Sequence, residues 1–121
     1  MQIYTGIDIV ENKRIKQAIN KLGEKFLNRV FTKNELEYCL TKANSIPCLA
    51  ARFAAKEAAI KAFYQAFKEK LSLKQIEILG KSGHPAEILL HLPKDKKRAF
   101  NITLSLAHEN NYSTAIVILY L

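Results

Sequence analysis

"FAAKEAAIK", residues 53–61, decides the fold. It reads as helix, and the helical pattern extends from about Pro47 to Leu71, with proline in the first turn. Leu49, Phe53, Ile60, Tyr64 and Phe67 recur at three- and four-residue steps and form an apolar stripe. Glu57 falls in that stripe, where a carboxylate is costly unless something compensates its charge. The candidates are Lys61 at i+4, a buried arginine, or a metal ion. Taken alone, Glu57 is also explained by an ordinary Glu–Lys pair at the stripe's edge.

Working outward, "QIYTGIDIV" (2–10) alternates Ile3, Thr5, Ile7 and Ile9 against Tyr4, Gly6, Asp8 and Val10, which predicts a strand. Ile15, Ala18, Ile19 and Leu22 predict a helix over 11–22, stopped by Gly23, and "EKFLNRVF" (24–31) a second short one. Thr32 and Glu35 make a capping box that opens a third helix through about Lys42, and "NSIP" (44–47) breaks it. After Ser72 the period changes. "QIEIL", "AEILLHL", "FNITLSL" and "YSTAIVILYL" read as strands, separated by the turns "GKSGHP" (80–85), "PKDKK" (93–97) and "HENN" (108–111). The last strand is apolar on both faces, so it is central to a sheet or covered by another subunit. The expected fold is α+β: a largely antiparallel sheet with one long helix packed on it and short N-terminal helices, in a single domain over residues 1–121.

The net charge of +8 implies an anionic partner: nucleic acid, a polyphosphate ligand, an acidic protein or an anionic membrane. No apolar run is long enough to cross a membrane, and the N-terminus lacks a signal-peptide layout. Cys39 and Cys48 have neither a disulfide framework nor metal spacing, and are expected to be reduced thiols in a cytosolic protein. A nucleic-acid module would explain the charge but not Asp8 or Glu57. Few aromatics interleave the basic residues, and neither zinc spacing nor an RNA-recognition signature occurs.

Asp8 lies near the end of the first strand, opposite the isoleucines and just before a helix. Helix capping or a solvated strand end would explain it; so would a metal. Two carboxylates from separate elements suit a hard cation of magnesium type, which keeps water and takes phosphate oxygens as further ligands. Ser105 faces away from Phe100, Ile102 and Leu104, and His108 sits where that strand meets a turn. His108 reads as a surface residue or as a phosphate contact.

"GIDIVENKRI" (6–15), "RFAAKEAAIKAF" (52–63), a Gly-x-Pro turn (83–85) and "SLAHENNYSTAIVIL" (105–119) occur in that order. With these motifs the chain resembles the holo-[acyl-carrier-protein] synthases, the small bacterial 4′-phosphopantetheinyl transferases. The resemblance implies that a serine hydroxyl of apo acyl carrier protein attacks the β-phosphate of coenzyme A, that the phosphopantetheine arm moves, and that adenosine 3′,5′-bisphosphate leaves. It implies Asp8 and Glu57 as magnesium ligands, with Lys61 on a phosphate oxygen. Glu57, or a water on the metal, would take the serine proton. Arg52, Gly83, Pro85, Ser105 and His108 match positions lining the coenzyme A site. A homotrimer is implied, with Asp8, Glu57 and Lys61 from one chain and Ser105 and His108 from its neighbour. Between residues 13 and 33, Lys13, Arg14, Lys16, Lys21, Lys25, Arg29 and Lys33 face one acid, Glu24. This basic stretch would dock the acidic carrier, with Arg14, Lys21 and Lys25 as contacts. Nucleic acid and membrane are not expected partners, and the place of work is the cytoplasm. The chain departs from the family where a glycine loop is usual after "KAF": here "YQAFKEKLSL" (64–73) has no glycine. Ala107 stands for a usual hydroxyl residue and His84 for a usual lysine.

Overall fold

The computed structural model describes residues 1–80 and 83–121. Strand β1 (Ile3–Glu11) leads into three short helices, α1 (Asn12–Leu22), α2 (Glu24–Val30) and α3 (Lys33–Cys39). The long helix α4 (Ile46–Phe67) follows, then β2 (Ile76–Leu79), β3 (Glu87–Leu90), β4 (Asn101–His108) and β5 (Tyr112–Tyr120). The expected α+β order is therefore present. The strands form two antiparallel sheets rather than one: β1-β5-β4, with the apolar β5 in the centre, and a separate β2-β3 pair. Of the turn expected at 80–85, Lys81 and Ser82 lie outside the described residues.

Local signals set the boundaries. Gly23 ends α1 at φ 60°, a left-handed conformation that costs glycine little, and its amide donates to Ile19 O at 2.7 Å. The Thr32–Glu35 capping box forms as expected: the Glu35 amide donates to Thr32 Oγ1 and the Thr32 amide to Glu35 Oε1 at 2.7 Å. Two helices are shorter than their periodicity suggests. Helix α3 stops at Cys39 instead of Lys42, and α4 stops at Phe67 instead of Leu71, where Lys68 takes a left-handed φ of 58° and its amide caps Tyr64 O. Helix α4 does run on past "KAF", through the stretch where a glycine loop is usual.

The face that α4 turns to the sheet is not the stripe of large residues. It is Ala51, Ala54, Ala55, Ala58, Ala59, Ala62 and Phe63, all buried, lying across β1 and β5. Small side chains let the helix axis approach the strands closely. A Cβ on Gly6 would lie 1.8 Å from the Ala58 carbonyl oxygen, so only glycine fits at that crossing. Rotating the buried face onto the alanines leaves Tyr64 exposed and puts Glu57 on the helix flank, half-buried.

The expectation of reduced thiols is corrected: Cys39 and Cys48 form a disulfide. The short connection between α3 and α4 folds the end of one helix back on the start of the next and brings their Cα atoms to 5.5 Å. Sequence spacing alone does not reveal that reversal. Around the bridge, Ile15, Val30, Phe31, Leu49 and Ala50 form a second core beneath the N-terminal helices.

Lys56 is wholly buried in the interior between the two cores. Its ammonium group pairs with Glu35 Oε1 at 2.8 Å and donates to Leu73 O at 2.9 Å and Ile76 O at 2.5 Å, which uses its three donors. Glu35 Oε2 accepts the Ile78 amide at 2.8 Å. One ion pair thus joins α3, α4 and β2. Replacing Lys56 with methionine leaves Glu35 buried without its cation; Lys56→Met is expected to cost about 3–5 kcal/mol, read as a lowered urea midpoint with an unchanged m-value.

Candidate active site

Strand β1 and helix α4 bring Asp8, Glu57 and Lys61 together. Asp8 is half-buried on the inner face of β1, opposite Ala115 of β5. Thr114 Oγ1 donates to the Asp8 carbonyl oxygen at 2.8 Å and holds the strand there. Lys61, one turn after Glu57, crosses to β1, where its Nζ donates to Ile7 O at 2.9 Å and to Asp8 Oδ1 at 3.3 Å. Its side chain stays about half exposed, so the ammonium group can still meet a ligand. Burial raises the Glu57 carboxyl above its ordinary value; the neighbouring Asp8 charge raises it further, and Lys61 and Lys70 oppose.

Two neighbouring carboxylates, with an oxygen-only donor set, fit a hard divalent cation that completes its shell with water and phosphate.

Arg52 lies elsewhere, five residues before Glu57 on α4 and almost fully buried. Its guanidinium stacks on the Tyr38 ring, 4.7 Å from the centroid, and stands against Gly80, where an added Cβ would come within 2.8 Å of Nη2. Burial lowers it from its ordinary value, while Tyr38 and Glu35 act the other way. Gly80, His84 and Pro85 line an open cleft of about 410 Å³ beside it, and Gly83 turns that loop at φ 81°. Ser105 and His108 are exposed on β4. The register puts Ser105 in one row with Ile116 and Ile7, on the outer face, whereas Asp8 shares the inner face with Ala115 and Leu106. Within one chain, Ser105 and Asp8 are thus on opposite sides of the same sheet. His108 borders a second open cleft with Ile9, Tyr112 and Thr114. Arg14, Lys21 and Lys25 are exposed on α1 and α2.

Residues 4–117 match the model of the 4′-phosphopantetheinyl transferase superfamily. The chain belongs to this family. As a phosphopantetheinyl transferase it is 47% identical over 113 residues to the holo-[acyl-carrier-protein] synthase of Aquifex aeolicus, covering 92% of this chain and 93% of that one. It is 45% identical to the same enzyme of Thermodesulfovibrio yellowstonii, over 94% of this chain and 95% of the other. Its fold matches the ACPS–CoA complex of Chronobacterium ammoniagenes with a TM-score of 0.84 at 25% identity, over 99% and 98% of the two chains. It also matches the Helicobacter pylori synthase in complex with coenzyme A, with a TM-score of 0.72 at 27% identity, over 95% and 98%.

From the sequence neither Lys56 nor Tyr38 is singled out, Glu35 has only a capping role and Cys48 only that of a reduced thiol. The signal for Lys56 was present: a lysine among alanines on the buried side of the transferase's helix, with a capping-box glutamate available to pair with it. Because Glu57 is raised by burial and by Asp8, ionising it opposes folding. Its folded pKa lies above the unfolded one, so stability falls as pH rises through that interval and the full penalty is present above it. Without metal at pH 8, Glu57→Gln is therefore expected to melt at higher temperature than the parent. The gap should close as pH falls below the ordinary carboxylate range, followed by differential scanning fluorimetry at a series of pH values.

Proposed function

We propose that Asp8, Glu57 and Lys61 carry the transfer of the 4′-phosphopantetheinyl arm of coenzyme A to a serine of an apo acyl carrier protein. The serine oxygen forms a bond to the β-phosphorus, the bond from that phosphorus to the bridging oxygen breaks, and adenosine 3′,5′-bisphosphate departs with that oxygen. The observation that carries this reading is the meeting of two mutually repelling carboxylates with a half-exposed lysine at the β1–α4 crossing. Asp8 and Glu57 would hold magnesium, which supplies charge neutralisation and orientation of the pyrophosphate when bound. Lys61 offsets charge on a phosphate oxygen. In this reading Glu57 accepts the serine proton; burial and Asp8 hold its carboxyl above the ordinary value. Phosphoryl transfer asks for positioning and charge neutralisation more than covalent help, and these three side chains supply both.

Coenzyme A would lie along the cleft by Gly83 and Pro85, with a phosphate at Arg52. Ser105 reaches the same ligand only from another copy of the chain, since it lies across the sheet from Asp8, whereas the row of His108 through Ser113 to Val10 is on the Asp8 side and its assignment to the neighbouring chain rests on the family resemblance. The outer face that carries Ser105 also exposes Ile3, Ile7, Ile9 and Ile116, with Ile7 and Ile9 about two-thirds exposed (64% and 66%). A row of bare isoleucines on a sheet is the surface a second copy would cover. The family resemblance implies a homotrimer with sites between subunits, and this apolar face supports contact between copies. Arg14, Lys21 and Lys25 receive the acidic carrier. No helix among the described residues is long and apolar enough to cross a membrane, and we place the reaction in the cytoplasm.

Purified protein mixed with apo acyl carrier protein, coenzyme A and magnesium is expected to add one phosphopantetheinyl group per carrier by intact mass spectrometry. A chelator should abolish the addition, and Glu57→Gln should slow it at least about 100-fold. Transfer by Glu57→Gln at the parent rate would remove Glu57 from this role. Placing a charge on the outer face by Ile7→Glu is expected to yield monomers by sedimentation equilibrium, with activity lost although Asp8, Glu57 and Lys61 are intact. An active Ile7→Glu monomer would refute the intersubunit site.

A further inference from the structure

Arg52 has five donors and few partners. Nη1 donates to Cys48 Oand Sγ at 3.5 and 3.3 Å, both weak contacts, and Nε is buried with no hydrogen-bond partner. Among the described residues no carboxylate forms an ion pair with it. At 5% exposure this is a desolvated cation whose hydrogen bonds among the described residues go to one residue, Cys48, one helical turn before it. Cys48 is fixed in turn by its bond to Cys39, the fully buried last residue of α3. Tyr38, the ring under the guanidinium, is the neighbour of Cys39.

Building on the coenzyme A reading of Arg52 above, we infer that the Cys39–Cys48 bridge is a positioning element for Arg52, so that thiol–disulfide exchange at this bridge sets the affinity for coenzyme A. A bridged sulfur is neutral and accepts hydrogen bonds poorly, which leaves the guanidinium donors open to a phosphate that can take two of them at once. Exchange with a low-molecular-weight thiol changes this. The attacking thiolate bonds to Cys48 Sγ, the half-buried sulfur, and Cys39 leaves as a thiolate that takes a proton. A second thiol attacks the mixed disulfide, frees Cys48 and departs as the small-molecule disulfide. The protein gains two electrons and one proton, which Cys39 takes; Cys48 stays a thiolate and the second proton goes to solvent. Coenzyme A itself belongs to this class of thiol. A nearby guanidinium favours the thiolate form of a free cysteine. The Cys48 thiolate then supplies Arg52 with the anion it lacks and competes with the phosphate. The tie between α3 and α4 that places Tyr38 is lost in the same step. Asp8, Glu57 and Lys61 make no contact with the bridge, so binding changes and the chemical step does not.

The test compares the whole protein oxidised with glutathione disulfide and reduced with a phosphine, the two states verified by counting alkylated thiols by mass. Coenzyme A is titrated calorimetrically with magnesium present, and KM and kcat are measured with saturating carrier. Reduction is expected to weaken coenzyme A about fivefold, raise its KM to match and leave kcat within about twofold. The difference should disappear in Arg52→Gln. The double variant Cys39→Ala/Cys48→Ala, which lacks both the tie and the thiolate, should bind more weakly than the oxidised protein, more tightly than the reduced one, and equally with or without reductant. Equal affinity in both states, with Arg52→Gln weakened, would overturn the positioning role and leave Arg52 as a phosphate residue. Parent-like binding by Arg52→Gln would overturn both. Two free thiols after oxidation, or a reduced protein that unfolds at the assay temperature, would reduce the bridge to nothing or to a staple. A parent protein that binds no coenzyme A in either state would instead refute the transferase site.

Discussion

The buried pair of Lys56 and Glu35 fixes how α4 is turned about its own axis. Lys56 points inward to a carboxylate and two carbonyl oxygens, and each of these belongs to a different part of the chain. Successive helical side chains are about 100° apart, so anchoring Lys56 inside sends Glu57 to the flank that faces Asp8. The alanine face and Gly6 set the helix-to-strand distance, and Lys56 sets the rotation. An ion pair of this kind adds little net stability, since both ions are desolvated to make it, but one partner without the other is severely unfavourable. It serves to exclude other rotations of the helix.

Much of this was legible in the chain. Alternation in 2–10, the capping box at Thr32 and the long periodic run after Pro47 marked their elements because each is a local signal, set by neighbours a few residues away. Asp8, Glu57 and Lys61 could be singled out as polar groups in apolar patterns, and the structure brings them together. What could not be read is what depends on approach between distant elements. The large residues of α4 suggested the wrong buried face, because alanine gives a weak periodic signal even though it permits the closest packing. The bridge between Cys39 and Cys48 needed the chain reversal after α3, and the end of α4 at Lys68 is a backbone conformation that no lysine advertises. The split of the strands into two sheets likewise arises from the charged connection between β3 and β4, which carries a 3₁₀ turn and no ladder.

The division of site residues between the two faces of one sheet has a simple origin. In a strand, neighbours point opposite ways, so an odd-numbered residue of β4 and an even-numbered residue of β1 that pair through β5 never share a side. On the proposed reading, Ser105 and Asp8 can then meet one ligand only through another copy of the chain. The inner face supplies charge, fixed by α4; the outer face supplies apolar area for contact. Fold, site and assembly are linked by the same alternation that first marked residues 2–10 as a strand.

Strand β1 lies at the border of its sheet, where unpaired backbone groups invite further strands to add on. Two side chains of α4 close that border: Gln65 accepts the Thr5 amide at 3.4 Å, and Lys61 takes the Ile7 carbonyl. The row of isoleucines is therefore presented for stacking while the rim beside it is blocked. On the assembly proposed above, copies would meet face on face, and a rotational contact of that kind can close into a ring, whereas rim-to-rim addition would grow without limit. Lys61 thereby also guards the rim against strand addition, and losing it would expose the chain to aggregation.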